Sequence, residues 1–190
     1  MQKSKFIIML SSLFGKKETE DKDHLFKDRA YMTTEAKMKA CAAVAKENDA
    51  TIFIAWFTDT AKQFNNYFTA NGLNENRITE ASHLNTSQLL SNTPVFVEHY
   101  PMHSKEENFV ANWKIRNIVV YSAMDEPLFK HFGSEKLIPL MKMMGMKENE
   151  VIEHSMVTKS IISGQKKIEE QVSIEKSALS QGEWMQLNLA

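Results

Sequence analysis

Apolar positions along the chain fall into two alternating registers. Thr51 to Phe57 is apolar at nearly every position, as suits an internal strand of a sheet covered on both faces. The next segment has Thr58 or Asp59 as a cap, Ala61, Phe64, Tyr67 and Phe68 at helical spacing, and Asn71-Gly72 as its end. Ahead of the strand, Thr34 can cap a helix whose buried side is Ala36, Met38, Ala40, Cys41, Val44 and Ala45. Arg77 to Leu84 and Thr93 to Tyr100 read as further strands, with a short polar helix from Thr86 to Leu90 between them. Ser104 and Glu107 have capping-box spacing ahead of Phe109, Val110 and Trp113. Asn117 to Tyr121 is again β-branched and apolar. Strands alternating with helices predict an α/β fold: a mostly parallel sheet of about four strands with helices on both faces.

The pattern then changes to helix alone. Asp125 and Glu126 open a helical stretch, and Ser134 can cap a helix carrying Leu137, Leu140, Met141 and Met144. Gly145 is placed to end it, and Pro139 must kink it or lie near its first turn. Ser155 can cap a further helix whose seam is Val157, Ile161, Ile168 and Val172, about 27 Å long at 1.5 Å per residue. After Ser173, Gly182 interrupts the pattern, and Ile174, Leu179 and Trp184 are candidates to fold back on the sheet. At the other end, residues 3–17 can form a short amphipathic helix with Phe6, Ile7, Leu10, Leu13 and Phe14 on one face and lysines at its ends. That face suits a membrane surface, a partner, the protein's own core or a second copy. The chain divides into an N-terminal segment with a charged linker (1–24), an α/β domain (25–133) and a helical extension with a tail (134–190).

Composition narrows the function classes. With 190 residues and 43% apolar side chains the chain can bury a sizeable core. Its 23 basic and 24 acidic residues give a net charge of −1, so no overall field draws it to nucleic acid. Lys136, Lys142, Lys159, Lys166 and Lys167 are spread over separate helices among acids, which also argues against a nucleic-acid surface. The single Cys41 cannot form an intramolecular disulfide and reads as a small buried residue in a reducing compartment. No apolar run reaches the ~20 residues that span a bilayer. A cleaved signal peptide is not expected, because the N-terminal apolar run lacks a small-x-small site and meets charge at once.

Candidate chemistry is sparse. Nucleotide hydrolysis needs a Gly-rich phosphate loop ending in Gly-Lys-Ser or Gly-Lys-Thr. The six glycines (15, 72, 133, 145, 164 and 182) stand alone, each explicable as a turn, cap or tail residue. Glu98, His99 and His103 have zinc-ligand chemistry, but Pro101 denies them a shared helical face, and a polar strand end accounts for them. His83, His131 and His154 read as structural or exposed. Asp125 and Glu126 could pair as acid and base; the positive end of a helix suffices to explain them. Met143 and Met146, in MKMMGM, are candidate contact residues beside the core positions Met141 and Met144.

The run DEPLFKHFGSEKLIPLMKMMGMKENEVIEHSMVTKSIISGQKKIEE, with its FGSEK, MGMKENEVIEH and MVTKSI…QKKIEE blocks, resembles the SecA family of preprotein translocase ATPases. It matches the junction between the second motor domain and the long scaffold helix. Tyr31, Thr33 or Thr34, Lys37 and the strand at Thr51 to Phe57 are similar to the start of that motor domain, and the LFGKK element to the family's lipid-contacting N-terminus. The resemblance implies a RecA-like sheet and a link with protein export. The phosphate-contacting loops of the family have no counterpart here, so none of its catalytic residues is carried over. The expected function is a catalytically empty module that binds a protein partner, SecA itself or another translocase component, through Met143, Met146, Val157, Ile161, Ile168 and Val172. The expected location is the cytoplasm, with peripheral contact at the inner membrane face through residues 3–17. No cofactor is expected, ATP entering only by inheritance of the fold. The alternatives are a nucleotide-binding domain completing an ATPase site in trans and a self-associating structural protein.

Overall fold

The computed structural model describes residues 25–189. Phe6, Ile7, Leu10, Leu13 and Phe14, expected to contact membrane or partner, lie outside the described residues. Among the described residues, five parallel strands form one sheet: β1 (Phe26–Tyr31), β2 (Thr51–Ala55), β3 (Ile78–Glu80), β4 (Thr93–Phe96) and β5 (Ile118–Ala123), in the order β1-β5-β4-β2-β3. The α/β class and parallel sheet follow the hydrophobic pattern, and the arrangement is that of a RecA-like fold. Four of the strands are those read from the pattern, β2, β3 and β4 at shorter lengths and β5 running two residues further, to Ala123; the fifth is β1. Its outer edge is blunted by an antiparallel bridge between Ala30 and Ile152, whose N–H groups and carbonyls exchange bonds of 3.0 and 2.8 Å.

Alternate residues on each strand feed opposite layers. Phe53 and Ala55 of β2, Val95 of β4 and Tyr121 of β5 pack under α1 (Thr34–Glu47) and α2 (Thr58–Ala70), with Met38, Cys41, Phe64 and Phe68. Ile54, Phe96, Ile118 and Val120 face the other way, toward α3 (Thr86–Ser91) and Val110 of α4 (His103–Trp113). A third cluster joins the strand ends to the helical extension, α5 (Pro127–His131), α6 (Leu137–Met143), α7 (Ser155–Glu169) and α8 (Gln181–Asn188). There Ala30, Met32, Phe57 and Met124 meet Leu128, Met141, Ile161 and Trp184. Sheet and extension thus share a core.

Several local expectations change in detail. Pro139 lies in the first turn of α6, where its missing N–H costs no helical bond. Gly72 and Gly145 end their segments at φ +73° and +81°, the left-handed region that only glycine enters freely. The capping box expected at Ser104 is not formed. Instead α4 begins at His103, and the Ser104 hydroxyl donates to Glu169 of α7. α7 ends at Glu169, short of Val172.

Candidate functional site

In an open parallel sheet, ligands bind outside the carboxyl ends of the strands where the strand order reverses. Here the chain passes from β2 outward to β3, then returns to the other side of β2 to form β4 and β5. α2 follows β2 onto one face and α4 follows β4 onto the other, so the crevice opens between the ends of β2 and β4. Its walls are Trp56-Phe57-Thr58 on one side and Val97-Glu98-His99-Tyr100 on the other.

The chain fills that crevice with its own groups. The Glu98 carboxylate accepts hydrogen bonds from the N–H groups of Trp56 (2.9 Å) and Phe57 (3.0 Å) through one oxygen, and from the Thr60 hydroxyl (2.7 Å) through the other. It therefore stands at the positive end of α2, the place an external anion would take. Burial pushes its pKa up to about 7, against the Lys37 charge and the hydrogen bond from Thr60. Beside it, Lys37 of α1 reaches under the sheet end, donating to the Val97 carbonyl (2.6 Å) and pairing with Glu126. Glu126 also accepts from Ala123 N–H at 3.1 Å.

His99 lies between two buried carboxylates, with Nε2 2.6 Å from Asp28 of β1 and Nδ1 3.0 Å from Glu106 of α4. Burial alone would lower its pKa. The charges of Glu106 and Asp28 and their hydrogen bonds outweigh that and hold it well above 6.5, so the imidazolium donates to both. Gln165 of α7 completes the cluster, donating to the Tyr100 carbonyl (2.7 Å) and to Glu106 (3.0 Å). Asp28, Lys37, Glu98, His99, Glu106 and Gln165 are all buried. The groups are closed to a dissolved substrate and stiffen the loops that carry them.

The tail closes the mouth. The Gln181 amide accepts from Leu128 N–H (2.8 Å) and donates to the His99 carbonyl (2.9 Å), while the Leu179 carbonyl accepts from Asp59 N–H (3.0 Å) in the first turn of α2. The Trp184 ring is 0% exposed and meets Tyr100 edge-on, 5.9 Å between centroids.

The residues singled out from the sequence go different ways. Glu98 and His99 enter separate networks, and His103 pairs with Glu107 at 3.1 Å. Asp125 caps a helix, but α1 rather than its own: it accepts from Thr34 N–H (2.8 Å) and the Thr34 hydroxyl (2.7 Å). Val157, Ile161 and Ile168, expected on a partner-facing seam, are turned into the shared core, with Val172 half-buried against it. The seam meets the sheet because α7 lies along β1 and α4. Met146 is half-buried against the same core, whereas Met143 is 83% exposed with Leu140 (41%) and Val151 (38%) also open. Asp28, Glu106 and Gln165 escaped the sequence reading, and Lys37 entered it only through the resemblance, with no buried ion pair assigned to it. Two carried a signal: Asp28 shares period two with Phe26 and Ala30, and Lys37 shares the helical stripe of Cys41 and Ala45. No helix among the described residues is long and apolar enough to cross a membrane.

No protein-family model matches the chain. Curated relatives do. A 49-residue segment, 26% of the chain, is 53% identical to the protein translocase subunit SecA of Acidithiobacillus ferrooxidans. A 62-residue segment, 32% of the chain, is 48% identical to that of Chlorobium phaeobacteroides, and 50 residues are 50% identical to that of Christiangramia forsetii. The chain carries a SecA-related segment. The matches span 5%, 6% and 4% of those SecA proteins respectively.

Proposed function

We propose that this protein is a SecA-related, catalytically empty RecA-like module that acts by binding a protein component of the preprotein translocation system. The observation that carries this reading is the self-filled crevice. Glu98 occupies the Trp56 and Phe57 amides at the head of α2, and the Leu179 carbonyl takes that of Asp59 in its first turn. The residues at the crevice do not fit a nucleotide phosphate, because the Glu98 side chain already holds the Trp56 and Phe57 amides and the Thr60 hydroxyl that such a group would use.

The relatives supply the context of translocation, and the surface supplies a contact. Met143, exposed one turn after Leu140 on α6, with Val151 exposed in the loop that follows, supplies an apolar contact on an adaptable side chain. Val157, Ile161 and Ile168 serve that contact from beneath, by holding α7 against the sheet. Calorimetric titration tests both halves. Purified SecA added to the full chain gives heat that Met143→Glu abolishes, and ATP with Mg²⁺ gives none. Heat with ATP, or none with SecA, overturns the proposal.

A further inference from the structure

Residues 175–189 are tied to one another before they are tied to the body. The Asn188 side chain accepts from Lys176 N–H (2.7 Å) and donates to the Lys176 carbonyl (2.9 Å), closing the segment on itself. Glu183 accepts from Leu179 N–H (2.7 Å), Ser180 caps α8 by accepting from Glu183 N–H (3.1 Å), and Trp184 Nε1 donates to Glu175 (3.0 Å). A segment closed by its own bonds keeps its shape when it leaves its seat, so little ordering entropy attends its return.

Its ties to the body gather at the crevice mouth and in the core beneath it: the two Gln181 amide bonds, the Leu179 carbonyl on Asp59, Glu175 on Lys105 (2.7 Å) and the Tyr100 hydroxyl, and Trp184, which meets Tyr100 and is fully buried in the core that holds Leu128 and Met141, with Met185 and Leu189 packed against it. The connection from α7 runs through Glu170, Gln171, Ser173 and Ile174, all exposed, with Val172 half-buried. Ile174 is an aliphatic side chain left 84% in solvent at this hinge.

We propose that this unit is an exchangeable strap, and that the seat it fills in its own chain accepts the same strap from a second copy. The product is a reciprocal two-fold dimer in which each crevice is closed by the other copy's Trp184 and Gln181. Exchange preserves every contact of the seat, so the balance between closed monomer and dimer rests on the hinge and on concentration. A short flexible tether holds the strap at an effective concentration in the millimolar range, which favours the monomer when dilute. In the dimer the two hinges pass one another and cover Ile174, the contact that the monomer lacks. The dimer goes beyond the binding of a translocase component and stands independently of it.

The test shortens the hinge in the full chain. Deleting residues 171–173 removes about 10 Å of reach, so the strap cannot close at home. The expected result is a doubled mass by light scattering, with strap amides as protected from hydrogen exchange as in the parent. Adding Trp184→Ala to that background returns the monomer. A monomeric deletion variant overturns the proposal whether or not its strap is protected, and so does a dimer whose strap amides exchange freely. A second measurement uses the unmodified chain. In low denaturant, the amides of Trp184 and Leu189 exchange together through an opening that leaves β2 and β5 protected. Exchange of the strap only with the strands sinks the idea.

Discussion

Replacing Glu98 by Gln probes the crevice directly. The side-chain oxygen of Gln can keep the bonds from Trp56 and Phe57 N–H, and its amide can donate to the Thr60 hydroxyl, which turns to accept. What disappears is the titration. Glu98 is raised from an ordinary 4.5 to about 7 in the fold. A group whose pKa is raised by folding stabilises below its unfolded value, and that stability is lost as the pH rises through its folded value. The wild-type chain therefore loses stability between about pH 4.5 and pH 7, by about 3 kcal/mol over that range. Glu98→Gln does not lose it. The variant and the wild type should unfold alike near pH 4.5, and the variant should be more stable by about 3 kcal/mol at pH 8. Urea unfolding followed by circular dichroism at pH 4.5, 6, 7 and 8 measures the difference, and titrations common to both proteins cancel. A difference that is flat with pH, or a wild type that grows more stable relative to the variant above pH 5, refutes the placement of the carboxylate.

Other perturbations act through separate elements. His99→Ala leaves Asp28 and Glu106 buried without their shared cation and should cost about 3–5 kcal/mol in urea unfolding. The His99 contribution is complete below pH 6.5 and fades as the pH rises through its raised folded value, so this deficit narrows in alkali. Gly164→Ala places a methyl group 2.4 Å from the Phe132 ring, which must move; the expected loss is about 1–3 kcal/mol, read as a lower midpoint at unchanged slope. Met143→Glu should change the unfolding free energy by no more than about 0.5 kcal/mol, because the side chain is in solvent, while removing partner binding.

The periodic pattern disclosed β2 and β5, whose residues are apolar on both faces, and concealed β1, which carries three charged residues. β1 reads FKDRAY, with Asp28 buried on His99 and Arg29 half-buried, donating to the Tyr121 hydroxyl (2.7 Å). A buried ion is invisible to hydropathy because its partner lies 71 positions away in the chain. The same holds for Lys37, whose acceptors Val97 and Glu126 come from two later loops. The seam of α7 was legible as an apolar stripe, but a stripe does not say what covers it. That was decided by β1 and α4, whose packing against α7 turns Ile161 and Ile168 inward. Of the three tail residues named as candidates to fold back, only Trp184 does so, since Ile174 and Leu179 remain exposed.

The central claim is that this module meets a translocase component through α6 rather than through its crevice. Its most direct test is a photo-crosslinking side chain placed at Met143, with Leu90 on α3 as an equally exposed control, in the full chain within its native cells. The predicted result is a crosslink from position 143 to a translocase component and none from position 90. Equal labelling from both positions, or no translocase component captured at 143, contradicts it.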